Sequence, residues 1–195
     1  TTANYQVDTV RPTVAAFTMS DTALKIDDTS TVTLQFSEAV ANFSSDDDIT
    51  VQNGSLATMT SSDNITWTGT FTPSSGVEDS ENILTLATSY TDTAGNAPAS
   101  TSTTDNYTVD TTAATVVAFT VSDSALKIGD TATVTLQFSE AVSGFSSDDD
   151  VTVQNGSLAT MTSSDNITWT GTFTPSSDVE DATNVMSLGT DWTDT

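Results

Sequence analysis

Cysteine and histidine are both absent from this chain of 195 residues, and its basic side chains number three, Arg11, Lys25 and Lys127. Without thiols there is neither a disulfide framework nor a thiolate metal site. Without histidine, cysteine or a lysine set among acids, the usual nucleophiles and tuned general bases are missing, so catalysis is the least expected function. A carboxylate pair could in principle hydrolyse glycosides, but such pairs sit in a cleft, whereas the acids here are expected at the ends of domains. No apolar run reaches membrane-spanning length and no signal-peptide pattern is present, as expected of an internal segment of a larger protein.

What the chain has in excess is negative charge, with 27 acidic residues and a formal net charge of −24. Such a surface repels nucleic acid and anionic lipid, which removes both as partners and leaves no case for direct membrane insertion. Acidity of this degree also suits a disordered chain, but short apolar alternations recur throughout and Phe36, Trp67 and Phe71 need burial.

The organisation comes from an internal repeat. An offset of 102 residues carries Glu38 onto Glu140 and Trp67 onto Trp169, with no insertion or deletion. About three quarters of the overlapping positions are identical, and a unit of about one hundred residues has room for its own core. Residues 1–8 align with residues 103–110, so they read as the closing strand of a preceding repeat. The first repeat is then 9–110, and the second, 111–195, lacks its own closing strand.

Within each repeat, alternating runs separated by Asn, Asp, Ser, Gly and Pro clusters are the pattern of an all-β sandwich. Residues 31–37 place Val32, Leu34 and Phe36 on one face. Residues 65–72 place Ile65, Trp67 and Phe71 inward and Thr66, Thr68, Thr70 and Thr72 outward. Asn53-Gly54, repeated as Asn155-Gly156, reads as a tight hairpin turn. Runs at 14–20, 83–91 and 106–109 complete about seven strands, the number for an immunoglobulin-like Greek-key sandwich. The expected fold is therefore two such sandwiches in tandem, with no helix.

Alternating strand directions sort the loops onto two ends. One end gathers Asp8, Glu38, the run Asp46-Asp47-Asp48 and Asp92, and the second repeat supplies Asp110, Glu140, Asp148-Asp149-Asp150 and Asp194. No basic residue lies in these loops, so a cation is the remaining way to offset the repulsion. Calcium takes six to eight oxygens in flexible geometry and accepts ligands from separate loops, unlike magnesium. Three consecutive acids without a central glycine exclude an EF-hand. At the junction between repeats Glu78 and Asp79 are further candidate ligands.

Phe-Ser-Glu-Ala-Val at 36–40, Asp-Ile-Thr-Val at 48–51, Phe-Thr-Pro at 71–73, Asp-Thr-Ala-Gly-Asn at 92–96 and Val-Asp-Thr-Thr at 109–112 resemble the bacterial Ig-like repeats of giant RTX and biofilm adhesins. The resemblance spans essentially the whole chain. It implies an extracellular location on a Gram-negative cell, with calcium held within and between repeats. The role it implies is a spacer holding a distal binding module away from the surface, its partners being the neighbouring repeats. The Asp run is longer than the family's pattern, which favours Asp48 over Asp46 and Asp47 as ligand. The proline usual after the linker is present as Pro12 but replaced by Ala114 in the second copy, which is expected to let that junction bend more easily when metal is absent.

The rival reading is a recognition module for glycan or ice, using the outward threonine row. Threonine on an exposed strand face is more often simple β propensity. A last expectation leaves two outcomes open for the strand that the second repeat lacks: residues 1–7 of a neighbouring molecule fill its place by head-to-tail donation, or further C-terminal residues supply it.

Overall fold

The computed structural model describes residues Thr1–Thr195 and divides into two compact units, Thr1–Thr112 and Ala113–Thr195. Each is an immunoglobulin-like β-sandwich. In chain order the first contains β1 (Val14–Met19), β2 (Ala23–Leu24), β3 (Ser30–Phe36), β4 (Val40–Ala41), a single helical turn α1 (Ser45–Asp48), β5 (Ile49–Thr50) and β6 (Gly54–Leu56). It continues with β7 (Thr66–Pro73), β8 (Glu78–Asn82), β9 (Thr85–Leu86), β10 (Thr91–Asp92), β11 (Ser102–Thr103) and β12 (Tyr107–Asp110).

The continuous sheet is ordered β1-β3-β7-β6. In it Val32, Leu34 and Phe36 alternate inward along β3, and Phe71 of β7 meets them. The remaining strands form short pieces, β11-β9-β5, β2-β12-β8 and β10-β4. Their inward residues Ile49, Leu86, Tyr107 and Val109, with Leu84 between β8 and β9, complete one core with the first sheet. The strand β12 closes the unit. It lies between β2, which it pairs in parallel, and β8, which it pairs antiparallel, and Tyr107 and Val109 are fully buried along it.

Four sequence expectations need correction. The Asn53-Gly54 pair is not a hairpin, because β5 and β6 belong to different sheets; Asn155-Gly156 likewise joins two strands that do not pair. Asn53 does adopt a left-handed φ of 48°, but Gly54 is required for a different reason. A Cβ there would lie 2.2 Å from Cζ of Phe71 and 2.7 Å from the carbonyl oxygen of Thr72. Second, the run expected at 83–91 is broken into β9 and β10. Third, residues outside every expected strand form β8, whose sequence Glu-Asp-Ser-Glu-Asn carries no apolar signal; backbone pairing to β12 makes it a strand. Fourth, the Asp runs form helical turns.

Phe71 is fully buried and cannot move aside, so Gly54→Ala should cost the first unit about 3 kcal/mol, the upper range for an overpacked core. A urea titration compared with the parent chain measures it, and an unchanged midpoint would show that the corner has room.

The second unit repeats the continuous sheet with identical register, as β13 (Val116–Val121), β14 (Ala132–Phe138), β17 (Gly156–Leu158) and β18 (Thr168–Pro175). Its shorter pieces are β15 (Val142–Ser143) with β20 (Thr193–Asp194) and, after the turn α2 (Ser147–Asp150), β16 (Val151–Val153) with β19 (Met186–Leu188).

Candidate cation-binding site

Three carboxylates from distant parts of the first unit, Asp8, Glu38 and Asp92, bring ligand oxygens within 4.8 Å of one another. Glu38 and Asp92 are placed by aromatic packing. Phe36 and Tyr90 are both buried, their ring centroids stand 4.8 Å apart, and each precedes its carboxylate by two residues. Pairing of Asp92 with Val40 fixes the same spacing through the backbone. Asp8 lies on the segment leading into β1, where its Oδ1 accepts the Val10 N–H at 3.0 Å.

Asp92 is held most firmly. Its Oδ1 accepts the backbone N–H groups of Ala94 and Asn96 at 2.9 and 2.8 Å, and its Oδ2 accepts Asn96 Nδ2 at 2.7 Å. Gly95 takes φ 96°, a conformation that side chains rarely adopt, and so lets the turn fold back on the carboxylate. Burial pushes the Asp92 carboxyl up, but the hydrogen bonds from the Asn96 side chain and backbone outweigh it and hold it below its ordinary value. Glu38 shifts the other way, raised by desolvation first and then by the charges of Asp8 and Asp92. Asn96 is a positioning residue that sequence reading missed, since its Nδ2 also donates to the Asp8 carbonyl at 3.3 Å. The Asp-x-x-Gly-Asn spacing was the available signal.

No basic side chain pairs with these acids. Arg11 donates instead to the Ala97 carbonyl at 2.7 Å, and the one salt bridge joins Lys127 to Asp130. The donor set is all oxygen and comes from three separate segments of the chain, which suits a hard cation such as calcium.

The Asp46-Asp47-Asp48 run does not join this cluster. It forms α1, where each carboxylate has its own partner. Asp46 accepts the Thr58 hydroxyl at 3.0 Å, Asp47 accepts the Ser44 hydroxyl at 2.9 Å, and Asp48, nearly fully buried, accepts the Ser44 N–H at 2.9 Å and the Ser89 hydroxyl. These acids tie the turn to neighbouring loops. Asp148, Asp149 and Asp150 form the same turn in α2, with Asp148 accepting the Thr160 hydroxyl and Asp150 the Ser146 N–H. Glu78 and Asp79 lie in β8 and join no acidic cluster. Glu78 is exposed, and Asp79 accepts Asn53 Nδ2 at 2.8 Å and the Glu81 N–H at 2.9 Å.

In the second unit Glu140 follows β14 and Asp194 pairs with Val142. Phe138 and Trp192, two residues before them, stack at 4.6 Å, as Phe36 and Tyr90 do in the first unit. Asp110, the counterpart of Asp8 under the repeat offset, ends β12.

Comparison with known proteins gives two findings. The bacterial Ig-like domain family matches residues 8–109 and again 110–195. Among solved structures the chain is similar to FdeC, an Escherichia coli adhesin, at 12% sequence identity and a TM-score of 0.48, over 92% of this chain and 64% of that one. No curated protein matches it.

Proposed function

Because this chain belongs to the bacterial Ig-like domain family, we propose that it is a spacer segment of a secreted bacterial surface adhesin, stiffened by calcium within and between its repeats. The RTX type of giant adhesin, on the outside of a Gram-negative cell, is the setting this reading gives it. The observation that carries it is the convergence of Asp8, Glu38 and Asp92 without a basic partner. Folding places these three charges together, and a bound cation turns that cost into a fastening. Asp8 and Asp92 would hold the ion with Glu38, and Asn96 would keep Asp92 aimed at it.

The repeat offset carries this set onto Asp110, Glu140 and Asp194, so a second ion is proposed there. A segment whose two copies are about three-quarters identical suits a role in which each copy does the same thing, and separation is such a role. The threonine row of β7 presents Thr68, Thr70 and Thr72 to solvent; in a spacer it is a strand face rather than a recognition surface.

Small-angle scattering of the 195-residue chain tests the stiffening. In calcium the distance distribution should be extended and narrow, and in chelator broader, because uncompensated carboxylates push repeats apart. Indistinguishable profiles in the two buffers would end the claim of stiffening between repeats while leaving the site in the first unit to be judged by its own stability.

A further inference from the structure

The charges of this chain avoid one kind of surface. All 27 acidic residues and the three basic ones lie outside the continuous sheets. Neither β1, β3, β6 and β7 nor their counterparts β13, β14, β17 and β18 carry a charged side chain. By contrast β8, outside that sheet, reads Glu-Asp-Ser-Glu-Asn.

On the outward face of the first continuous sheet a rank of threonines crosses from strand to strand. Thr18 pairs with Thr33, Thr33 with Thr68, and Thr68 with Thr60. All four are exposed except Thr33, which is half-buried. The pairs Thr31-Thr70 and Gln35-Thr66 lie on either side of the rank. In the second unit the rank recurs as Thr120, Thr135, Thr170 and Thr162. None of these outward residues differs between the copies, whereas residues 81–90 differ from 183–192 at seven of ten positions.

What this face can meet follows from what the rest of the surface repels. At a net charge of −24, two copies repel wherever acidic loops or β8 come together. The continuous sheet is where they can approach without setting charge against charge. A sugar surface fits less well, because the face offers neither an aromatic ring nor a carboxylate, and nucleic acid or anionic lipid finds no cationic side chain there. Threonine suits a contact between sheets, which stack about 10 Å apart. Its methyl group packs, and its hydroxyl both donates and accepts.

We propose that the threonine face of the continuous sheet is a contact surface for a second copy of this chain, sheet against sheet. The contact is independent of the cation site. Four strands about 4.8 Å apart and about 20 Å long present about 400 Å². One pairing therefore buries about 800 Å² in total and is weak by the standard of stable complexes. The same face recurs in the second unit, and recurring weak contacts are what multivalency turns into useful affinity.

Sedimentation velocity of the whole chain in EGTA, over a range of protein concentrations at about 0.01 M and about 1 M salt, tests it. The parent should associate as its concentration rises, and more strongly at high salt, where the repulsion between copies is screened. Thr68→Glu together with Thr170→Glu sets like charges at the middle of each face and should move the midpoint of association at least about tenfold higher in concentration. Ser80→Glu together with Ala182→Glu adds the same charge at exposed positions outside these sheets and should leave the midpoint in place. Mixing the Thr68→Glu, Thr170→Glu chain with a Thr68→Lys, Thr170→Lys chain should restore association, since opposite charges then meet across the contact. Recovery in the mixture requires that the partner be another copy. Thr68 and Thr170 are exposed, and an unchanged melting temperature confirms that the variants remain folded. A chain monomeric at both salt concentrations, association indifferent to charge at Thr68 and Thr170, or a mixture that fails to recover would each overturn the proposal. A monomeric parent that is retained on a neutral polysaccharide column, with retention lost in the Thr68→Glu, Thr170→Glu chain, would assign the face to a sugar surface instead.

Discussion

Melted in EGTA and then in millimolar calcium, the first unit should gain on the order of 10 °C. The expectation rests on linkage. An extracellular-type site with a dissociation constant near 10⁻⁴ M, at about a hundredfold excess of calcium, adds about 2.7 kcal/mol, and a domain of this size moves several degrees for each kcal/mol. The Glu38→Gln variant should respond with opposite signs in the two buffers. In EGTA it removes one of three mutually repelling charges and should melt higher than the parent; in calcium it removes a ligand and should melt lower. A merely acidic surface loop would not reverse sign in this way. The pH dependence follows from the raised Glu38 carboxyl. A group that binds its proton more tightly in the folded state stabilises the fold when protonated. Metal-free stability should therefore decline as pH rises from the ordinary value of 4.5 through the raised one, and calcium should remove that decline. Melting curves that superimpose with and without calcium would eliminate the site.

Tyr107→Ala should have the largest effect of any single substitution in the first unit, about 3–5 kcal/mol, the range for an aromatic side chain removed from a core. The ring is fully buried against Phe71, and its hydroxyl donates to the Gln52 carbonyl, a group that would be left without that partner. Tyr107→Phe isolates the hydroxyl and should cost about 1 kcal/mol. Burial first, opposed by the Gln52 bond and supported by the charge of Asp79, pushes the Tyr107 hydroxyl up to about 12. Its contribution to stability is thus complete below the ordinary value of 10.0 and is lost as pH rises through about 12. Scanning calorimetry is the measurement, because the first unit's transition should fall while the second unit's stays in place. Equal displacement of both transitions would mean that the two units do not unfold independently.

The sandwich and the carboxylate cluster were legible in the sequence for different reasons. Alternation along β3 and β7 marked the continuous sheet because its residues have one buried and one exposed face. The convergence of Asp8, Glu38 and Asp92 followed from counting strand directions, which needs only the number of strands between them. The Asp46-Asp47-Asp48 run looked like part of the same cluster because charge alone distinguishes no partner. What assigns those acids elsewhere are the hydroxyls of Ser44, Thr58 and Ser89, donors too common in this chain to stand out. The strand β8 was invisible because its conformation comes from the neighbour it pairs with. The second unit makes that dependence visible, since nearly the same residues there form no strand. Asn53-Gly54 carried a real turn signal, but whether such a corner joins paired strands or crosses between sheets depends on the Phe71 ring against Gly54, which is a tertiary fact.

The placement of β12 also bears on how a chain of these units would respond to tension. Its last residue, Asp110, leads directly into the following repeat, so a pull on the chain enters the first unit through this strand. Bonds to its antiparallel neighbour β8 run across that axis and those to the parallel β2 are slanted, so a pull along the strand loads both rows together rather than parting them one at a time. Tyr107 and Val109 would have to leave the core in the same event. Stretching would then meet its resistance at this closing strand, and the rate of forced unfolding would be set by one short strand rather than by the broad sheet of β1, β3, β7 and β6.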